Sequence, residues 1–349
     1  MLERLHIQNY RGFENLRIGK LGRINLVAGA NNAGKTTLLE AVFLLSGAAN
    51  ARMAVNDHVI RDQDRGKPPR SWAEVYWKPL FSGLNTNKTV TVSGHDSAVG
   101  DMGLKVSWGR QVKTEIPRDE ASDALLKVRS DEHSLKFAYS DQEAGEIESE
   151  AQETAEKFEF EQEHKYVPFL SAILQPGGGD INEDAMVLGK LRTQKRGDRL
   201  LDALRVIEPR LQGIEDNSSS GAPMIWVDIG LRELVPLPVM GGGMTHVARI
   251  VLTAARVEHG ALLIDEIENG LHHSVLADVW RVIGKAAEQF NIQIFATTHS
   301  RECVEAAHDA LGAHGFRLHR LEAVDGVTRC VTYEPGAIEG AIRHNMEFR

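Results

Sequence analysis

The sequence predicts an α/β fold: a mixed or parallel core sheet that carries an antiparallel β lobe and a helical insertion. Three observations predict it. Apolar runs of strand length end abruptly in polar residues and are followed by segments of helical period. A glycine-containing loop lies between one such strand and its helix. In the middle of the chain the pattern changes to short alternating segments between turn residues, as an antiparallel lobe requires.

Taken in order, Leu2 to Gln8 alternates apolar and polar residues as a half-buried strand, Asn9 to Phe13 turns, and Asn15 to Ile18 returns. Arg23 to Ala28 is more continuously apolar and reads as a buried strand. Gly29 to Lys35 is the glycine-containing loop, and Thr36 to Ser46 is a helix with Leu38, Leu39, Val42 and Leu45 at helical spacing. Gly47 to Arg70 reads as a polar connection, and Trp72 to Phe81 as a short amphipathic helix. Thr89 to Val92, Gly103 to Trp108 and Ser134 to Tyr139 read as antiparallel strands. Asp141 to Lys165 is strongly acidic, opposed only by Lys157 and Lys165, and is expected to be a solvated helix face or a mobile segment.

Gln175 to Asp180 is a loop, and Asp184 to Ile207 is helical. Ile225 to Leu237 is a strand pair, Thr245 to Glu258 a helix, Ala261 to Ile264 a buried strand and Ser274 to Phe290 a helix. Gln293 to Thr297 is the next strand. Phe316 to Leu321 and Arg329 to Tyr333 close as a hairpin before a last helix, Gly336 to Met346. The expected organisation is one domain over 1–349 with an insertion at 47–222. No internal repeat and no heptad run of coiled-coil length is found.

Composition narrows the function. At 42% hydrophobic and 26% charged residues the chain is ordinary globular material, long enough at 349 residues for a large core. With a net charge of -9, any nucleic-acid surface must be a local patch. Cys303 and Cys330 form no CxxC pair, which argues against a disulfide scaffold or a zinc finger and suits a reducing, cytoplasmic setting. The apolar runs stop well short of membrane-spanning length, and no leader is read at Met1, so no membrane partner is expected.

Four motifs carry chemistry. Gly29, Gly34, Lys35 and Thr36 fit GxxxxGK[ST], with Asn31, Asn32 and Ala33 between the glycines and Thr37 after. The glycines let backbone N–H groups curl around phosphate oxygens at a helix N-terminus. Lys35 would reach the β- and γ-phosphates, and Thr36 would ligate Mg2+. An apolar strand then ends in Asp265 and Glu266. The first suits magnesium, through water. The second suits a general base for the attacking water. Strand alternation would send the two side chains apart. A third strand ends in His299, in place to hydrogen-bond the γ-phosphate; a lone histidine is more often structural, so this assignment rests on its position. Gly241, Gly242 and Gly243 open a helix; they are an anion site or a flexible entry to a core helix.

These motifs in this order resemble the RecF/SMC-like branch of the ABC-type P-loop ATPases. Within it the chain resembles the stand-alone AAA family ATPases related to overcoming-lysogenization-defect (OLD) nucleases and abortive-infection proteins. The shared stretches are Leu5 to Phe13, the phosphate loop, Leu263 to His272, and Phe295 to Ser300. They cover residues 1–46 and 223–349 well. The resemblance implies an ATP sandwich, a homodimer in which the glycine triplet of one copy closes on ATP held by Lys35 of the other. Gly241 stands where such proteins usually have serine, so the amide cradle survives without the hydroxyl. Glu268 to His272 matches the family's D-loop at the dimer seam, and Gln175 is the candidate for its Q-loop. Two departures matter. The tail after His299 is too short for the TOPRIM nuclease of the OLD proteins and lacks its DxD cluster, and no coiled-coil arm is present.

The expected function is therefore a cytoplasmic, magnesium-dependent ATP hydrolase that dimerises around ATP and controls a separately encoded nuclease or toxin, in anti-phage defence. The alternative is a RecF-like DNA-repair ATPase. The basic run Lys190, Arg192, Lys195, Arg196 and Arg199 would serve it, or be an ordinary solvated helix face. A transporter subunit is disfavoured by Asn9 to Phe13, by Gly241 and by the size of the insertion.

Overall fold

The computed structural model describes residues 1–52, 71, 73–115, 128–153, 158–161, 166–217, 221–312 and 315–344. It divides into two compact units. The first comprises residues 1–4, 18–43 and 169–349, and the second residues 5–17 and 44–168.

The first unit is built on a six-stranded sheet, ordered β16-β15-β3-β14-β13-β9. These strands are β3 (Ile24–Gly29), β9 (Ser171–Leu174), β13 (Ala261–Ile264), β14 (Gln293–Thr298), β15 (Arg317–Val324) and β16 (Val327–Tyr333). From β15 to β9 every neighbouring pair is parallel; only the edge strand β16 is antiparallel. β3, β13 and β14 are buried at every position, as strands covered on both faces must be, which explains why they are mostly apolar. Two helices show how the faces are covered. In α4 (Gly242–Arg256), Val247, Ile250, Val251 and Ala254 form one buried stripe. In α5 (Leu276–Gln289), Leu276, Val279, Trp280, Ile283 and Ala287 form another.

Helices α1 (Lys35–Ser46) and α7 (Pro335–Arg343) fall where the sequence predicts them, whereas α6 (Arg301–Leu311), between β14 and β15, is a helix not predicted from the sequence. The predicted helix over Asp184 to Ile207 is two helices, α2 (Ile181–Thr193) and α3 (Asp198–Arg205). The chain breaks between them at Lys195, which adopts a left-handed φ of 59°, and Gly197. Residues 169–222 share the first unit's apolar core through Ala172, Leu174, Leu188 and Leu204.

The second unit holds most of a seven-stranded sheet ordered β2-β1-β4-β5-β6-β7-β8, in which β1 is Leu2–Tyr10 and β2 is Phe13–Gly19. Strands β4 (Val90–Asp96), β5 (Gly100–Glu115), β6 (Val128–Asp141), β7 (Gly145–Glu153) and β8 (Phe158–Glu161) form an antiparallel meander, as expected but longer. The acidic segment is corrected here: its described part is β7 and β8, not a helix. Ile147, Ser149 and Ala151 point into the core while Glu146 and Glu148 face solvent. Two short helical turns, Ala73–Trp77 and Lys78–Leu80, replace the amphipathic helix expected over Trp72 to Phe81. Most of the connection over Gly47 to Arg70 lies outside the described residues.

Candidate functional site

Parallel strands put their C-terminal ends on one edge, and four of them deliver the motif residues there. β3 leads into the phosphate loop, β14 into His299, β13 into Asp265, and β9 into Gln175. The register pairs Ala28 with Thr298, and Ile264 with both Ala296 and Leu174, so β13 and β9 end level with each other while β3 and β14 run on past them. All of this lies within the first unit.

The loop is closed by its own backbone. Gly29 has a φ of 151°, and a Cβ there would lie 2.6 Å from the Leu321 carbonyl oxygen, so no side chain fits. Asn32 and Gly34 take left-handed φ values of 63° and 96°. Ala33 N–H donates to Ala30 oxygen at 3.2 Å, and Leu38 N–H to Gly34 oxygen at 2.9 Å, starting α1. Asn31 and Asn32 are exposed, Ala33 and Lys35 buried, and Thr37 half-buried. Lys35 Nζ folds back to donate to Gly29 and Ala30 oxygens at 2.9 and 3.0 Å. Burial pushes its ammonium below the ordinary lysine range, while the charges of Asp265, Glu266 and Glu268 act in the opposite direction.

Asp265 is the hub. Its N–H donates to Leu174 oxygen at 2.8 Å, tying β13 to β9. Its Oδ2 accepts the Thr36 hydroxyl at 2.9 Å and its Oδ1 the Thr297 hydroxyl at 2.6 Å. The same Thr297 oxygen accepts Glu266 N–H at 2.8 Å. β13 ends at Ile264 and Glu266 has a φ of 47°, so a left-handed turn, not strand alternation, separates the two carboxylates. Glu266 is half-buried, and its Oε2 accepts Asn269 Nδ2 at 3.4 Å. His299 is exposed, and its N–H donates to Glu268 Oε1 at 3.0 Å.

Thr297 is missed in the sequence, and Glu268 stands there only as the start of the D-loop match, with no role beside His299. Thr297 is legible only once β14 is set beside β13, because it lies one position past the residue opposite Ile264. Glu268 is hidden by its place in a turn.

The Thr36 hydroxyl beside the Asp265 carboxylate is the donor set that suits magnesium, which takes few protein oxygens and completes its octahedron with water and phosphate. The glycine triplet is not drawn into this network. Gly241 has a φ of 102° and caps α4 with no side-chain hydrogen bond. A Cβ at Gly241 or Gly242 would meet nothing within 4 Å, and one at Gly243 would meet Leu271 Cδ2 at 3.2 Å. A cavity of about 280 Å³ beside it is lined by Met240, Gly243, Met244, Leu271 and His272. Gln175 begins the loop after β9, its oxygen accepting Gly178 N–H at 3.1 Å. Arg249 of α4 bonds that loop at Gly178 oxygen and also pairs with Asp184 at 3.0 Å.

The basic run is partly spent on internal pairs. Arg192 bonds Asp216 at 3.1 Å, and Arg196 forks onto Glu258 at 2.9 and 2.6 Å. Arg196 and Arg199 both stand over the Phe290 ring, 5.5 Å from its centroid.

Residues 24–305 match the family model described as AAA domain, putative AbiEii toxin, Type IV TA system. A Helicobacter pylori protein named ATP/GTP phosphatase is 25% identical over 93% of this chain and 93% of its own length. The DNA replication and repair protein RecF of Bacillus cytotoxicus is 34% identical over 67 residues, 19% of this chain and 18% of that one. Among solved structures, an SMC head bound to the C-winged helix domain of ScpA covers 98% of this chain and 99% of its own, with a TM-score of 0.52 at 12% identity. That last likeness is one of fold.

Proposed function

We propose, starting from the fact that the chain belongs to the AAA domain family described as putative AbiEii toxin of a type IV toxin–antitoxin system, that it hydrolyses ATP with magnesium at the edge where β3, β13 and β14 end. The single observation that carries this reading is the chain of contacts Thr36–Asp265–Thr297–Glu266 beside the folded-back Lys35. Lys35 exchanges two loop carbonyls for the β- and γ-phosphates. Thr36 and Asp265 would hold the magnesium, which would supply positive charge to offset the negative charge of the triphosphate. A water attacks the γ-phosphorus, the bond to the ADP oxygen breaks, and Glu266 takes the water's proton. Thr297 fixes the Glu266 backbone, so that the carboxylate is held by a turn already formed. His299 hydrogen-bonds the γ-phosphate.

The open triplet Gly241 to Gly243 supports completion of each site by a second copy of the chain. The reading continues as the resemblance implies. ATP-driven dimerisation controls a separately encoded nuclease or toxin, and the acidic face of β7 suits a basic protein partner better than DNA. Among the described residues no helix is long and apolar enough to cross a membrane.

Turnover tests the core of this reading. Hydrolysis should rise faster than linearly with protein concentration while the dimer forms. Glu266→Gln should bind ATP, stop turnover by about 100-fold or more, and sediment as a dimer with ATP and magnesium. Turnover strictly proportional to dilute chain would overturn the shared site, and wild-type turnover in Glu266→Gln would remove Glu266 as base. The RecF-like alternative is favoured by the local match to RecF. It predicts steeply salt-dependent DNA binding that is flattened when Lys190 and Lys195, the exposed members of the basic run outside the ion pairs, become Gln.

A further inference from the structure

Glu268 has no part in the steps above, yet it lies inside the site. Its side chain is 12% exposed, against 44% for His299. Oε1 accepts the His299 backbone N–H at 3.0 Å and stands 3.3 Å from the ring Nδ1. Oε2 is buried with no hydrogen-bond partner. The charge is felt across the site, since it acts on the Lys35 ammonium.

A cap on one backbone N–H needs only a neutral acceptor. A carboxylate with one oxygen bare and buried carries a desolvation penalty that such an acceptor would avoid. The charge is explained if it also acts on the ring. The two nitrogens of an imidazole are distinct, and the partner of one decides what the other presents. An exposed ring turns freely unless something fixes it. Glu268 follows β13 and His299 follows β14, and these strands are parallel neighbours, so a rigid sheet sets the spacing of the two groups.

We propose that Glu268 is a positioning residue for His299: its carboxylate holds the imidazole with the proton on Nδ1 and turns Nε2 toward the γ-phosphate. This rests on the nucleotide site proposed above. It also gives the γ-phosphate a route into the loop 265–270, because whatever moves the His299 ring pulls on Glu268.

The test separates charge from capping. Glu268→Gln keeps an oxygen for the backbone N–H and removes the charge facing Nδ1. It should leave KM within about twofold and lower kcat about tenfold, the rate equivalent of one charged hydrogen bond. Glu268→Asp should lie between Glu268→Gln and wild type. In the double variant with His299→Ala, kcat should fall no further than in His299→Ala alone. Nucleotide-free chain labelled with 15N-histidine gives the second readout, the His299 signal being the one lost in His299→Ala. Wild type should show a protonated Nδ1, and Glu268→Gln should move it toward a mixture of tautomers.

Wild-type kcat in Glu268→Gln, an Asp variant slower than the Gln variant, or fully additive losses in the double variant would overturn the proposal. An unchanged ring signal in Glu268→Gln would do the same. A wild-type chain that hydrolyses no ATP would overturn the proposed function and this inference with it. A chain that turns over normally while Glu268→Gln matches it would overturn this inference alone.

Discussion

Two glycine loops of the first unit differ in what holds them. The phosphate loop is closed on its own chain: Gly29 lies against the Leu321 carbonyl, and Lys35 is bonded to Gly29 and Ala30. The triplet Gly241 to Gly243 is open. Among the described residues no atom lies within 4 Å of a Cβ built at its first two glycines, and no side chain caps its helix. Glycine in the first loop is required by the protein's own packing. At Gly242, where φ is ordinary, nothing among the described residues requires it. The first loop is closed by its own chain, and the second is the one that the proposed function gives to a second copy.

Lys35→Ala is the largest break. The ammonium is hydrogen-bonded to the loop backbone, and its loss should remove tight binding of fluorescent ATP and reduce turnover to background. The fold should survive, because the side chain bonds only loop carbonyls.

The wall behind the closed loop offers a pH test. β15 places Leu321 against Gly29, and two residues earlier His319 lies buried between Thr332 Oγ1 at 2.9 Å and Asn25 Oδ1 at 3.3 Å. Burial is the main cause that holds its imidazole down, at about 4. The unfolded chain takes up that proton near pH 6.5 and the folded chain does not until about 4. The stability His319 contributes is therefore complete above pH 6.5 and is lost as pH falls to 4, by at most about 3 kcal/mol. Urea midpoints across this range should fall less in His319→Asn than in wild type. Parallel curves would show that His319 does not titrate this way.

The sequence made the closed loop far more legible than the open one, for physical reasons. Gly29, Gly34, Lys35, Thr36 and Asp265 are named by spacing, because phosphate geometry fixes which residue types can stand there. Strands β3, β13 and β14 are legible because burial on both faces leaves few polar positions, Asn25 in β3 and Gln293, Thr297 and Thr298 in β14. β9 is too short to show a period, and it is visible only through its pairing with β13. Thr297 and Glu268 depend on that sheet register and on a turn, which no local pattern records. The acidic segment misled in the other direction. Its charge masked the alternation of Ile147, Ser149 and Ala151 with glutamates, which is the signature of a strand with one wet face.

Gly29→Ala sharpens the contrast from the closed side. The new methyl would lie 2.6 Å from the Leu321 oxygen, which belongs to a paired strand and cannot yield, on a backbone already in the positive-φ region. Overpacking of this kind costs about 1–3 kcal/mol. The urea midpoint should drop, and ATP binding should weaken because the loop shifts. A variant as stable as wild type would mean that β15 does not close the loop.

Gly242→Ala has the smallest effect on the fold and decides the comparison. The residue is the first of α4, its φ is ordinary, and a methyl there meets nothing within 4 Å. Alanine also forms helix better than glycine, by up to about 1 kcal/mol. The isolated chain should therefore be unchanged or slightly more stable in urea. Turnover should nonetheless fall about tenfold or more at a concentration where wild type is fully assembled, because a methyl now intrudes where a partner's phosphate must approach the bare amides. ATP binding to the dilute monomer should not change, since Lys35 and Thr36 are untouched. Gly242→Asp should be worse still, with an anion facing an anion. Equal turnover in Gly242→Ala and wild type would mean that nothing closes on the triplet. Its glycines would then be only a flexible entry to a core helix.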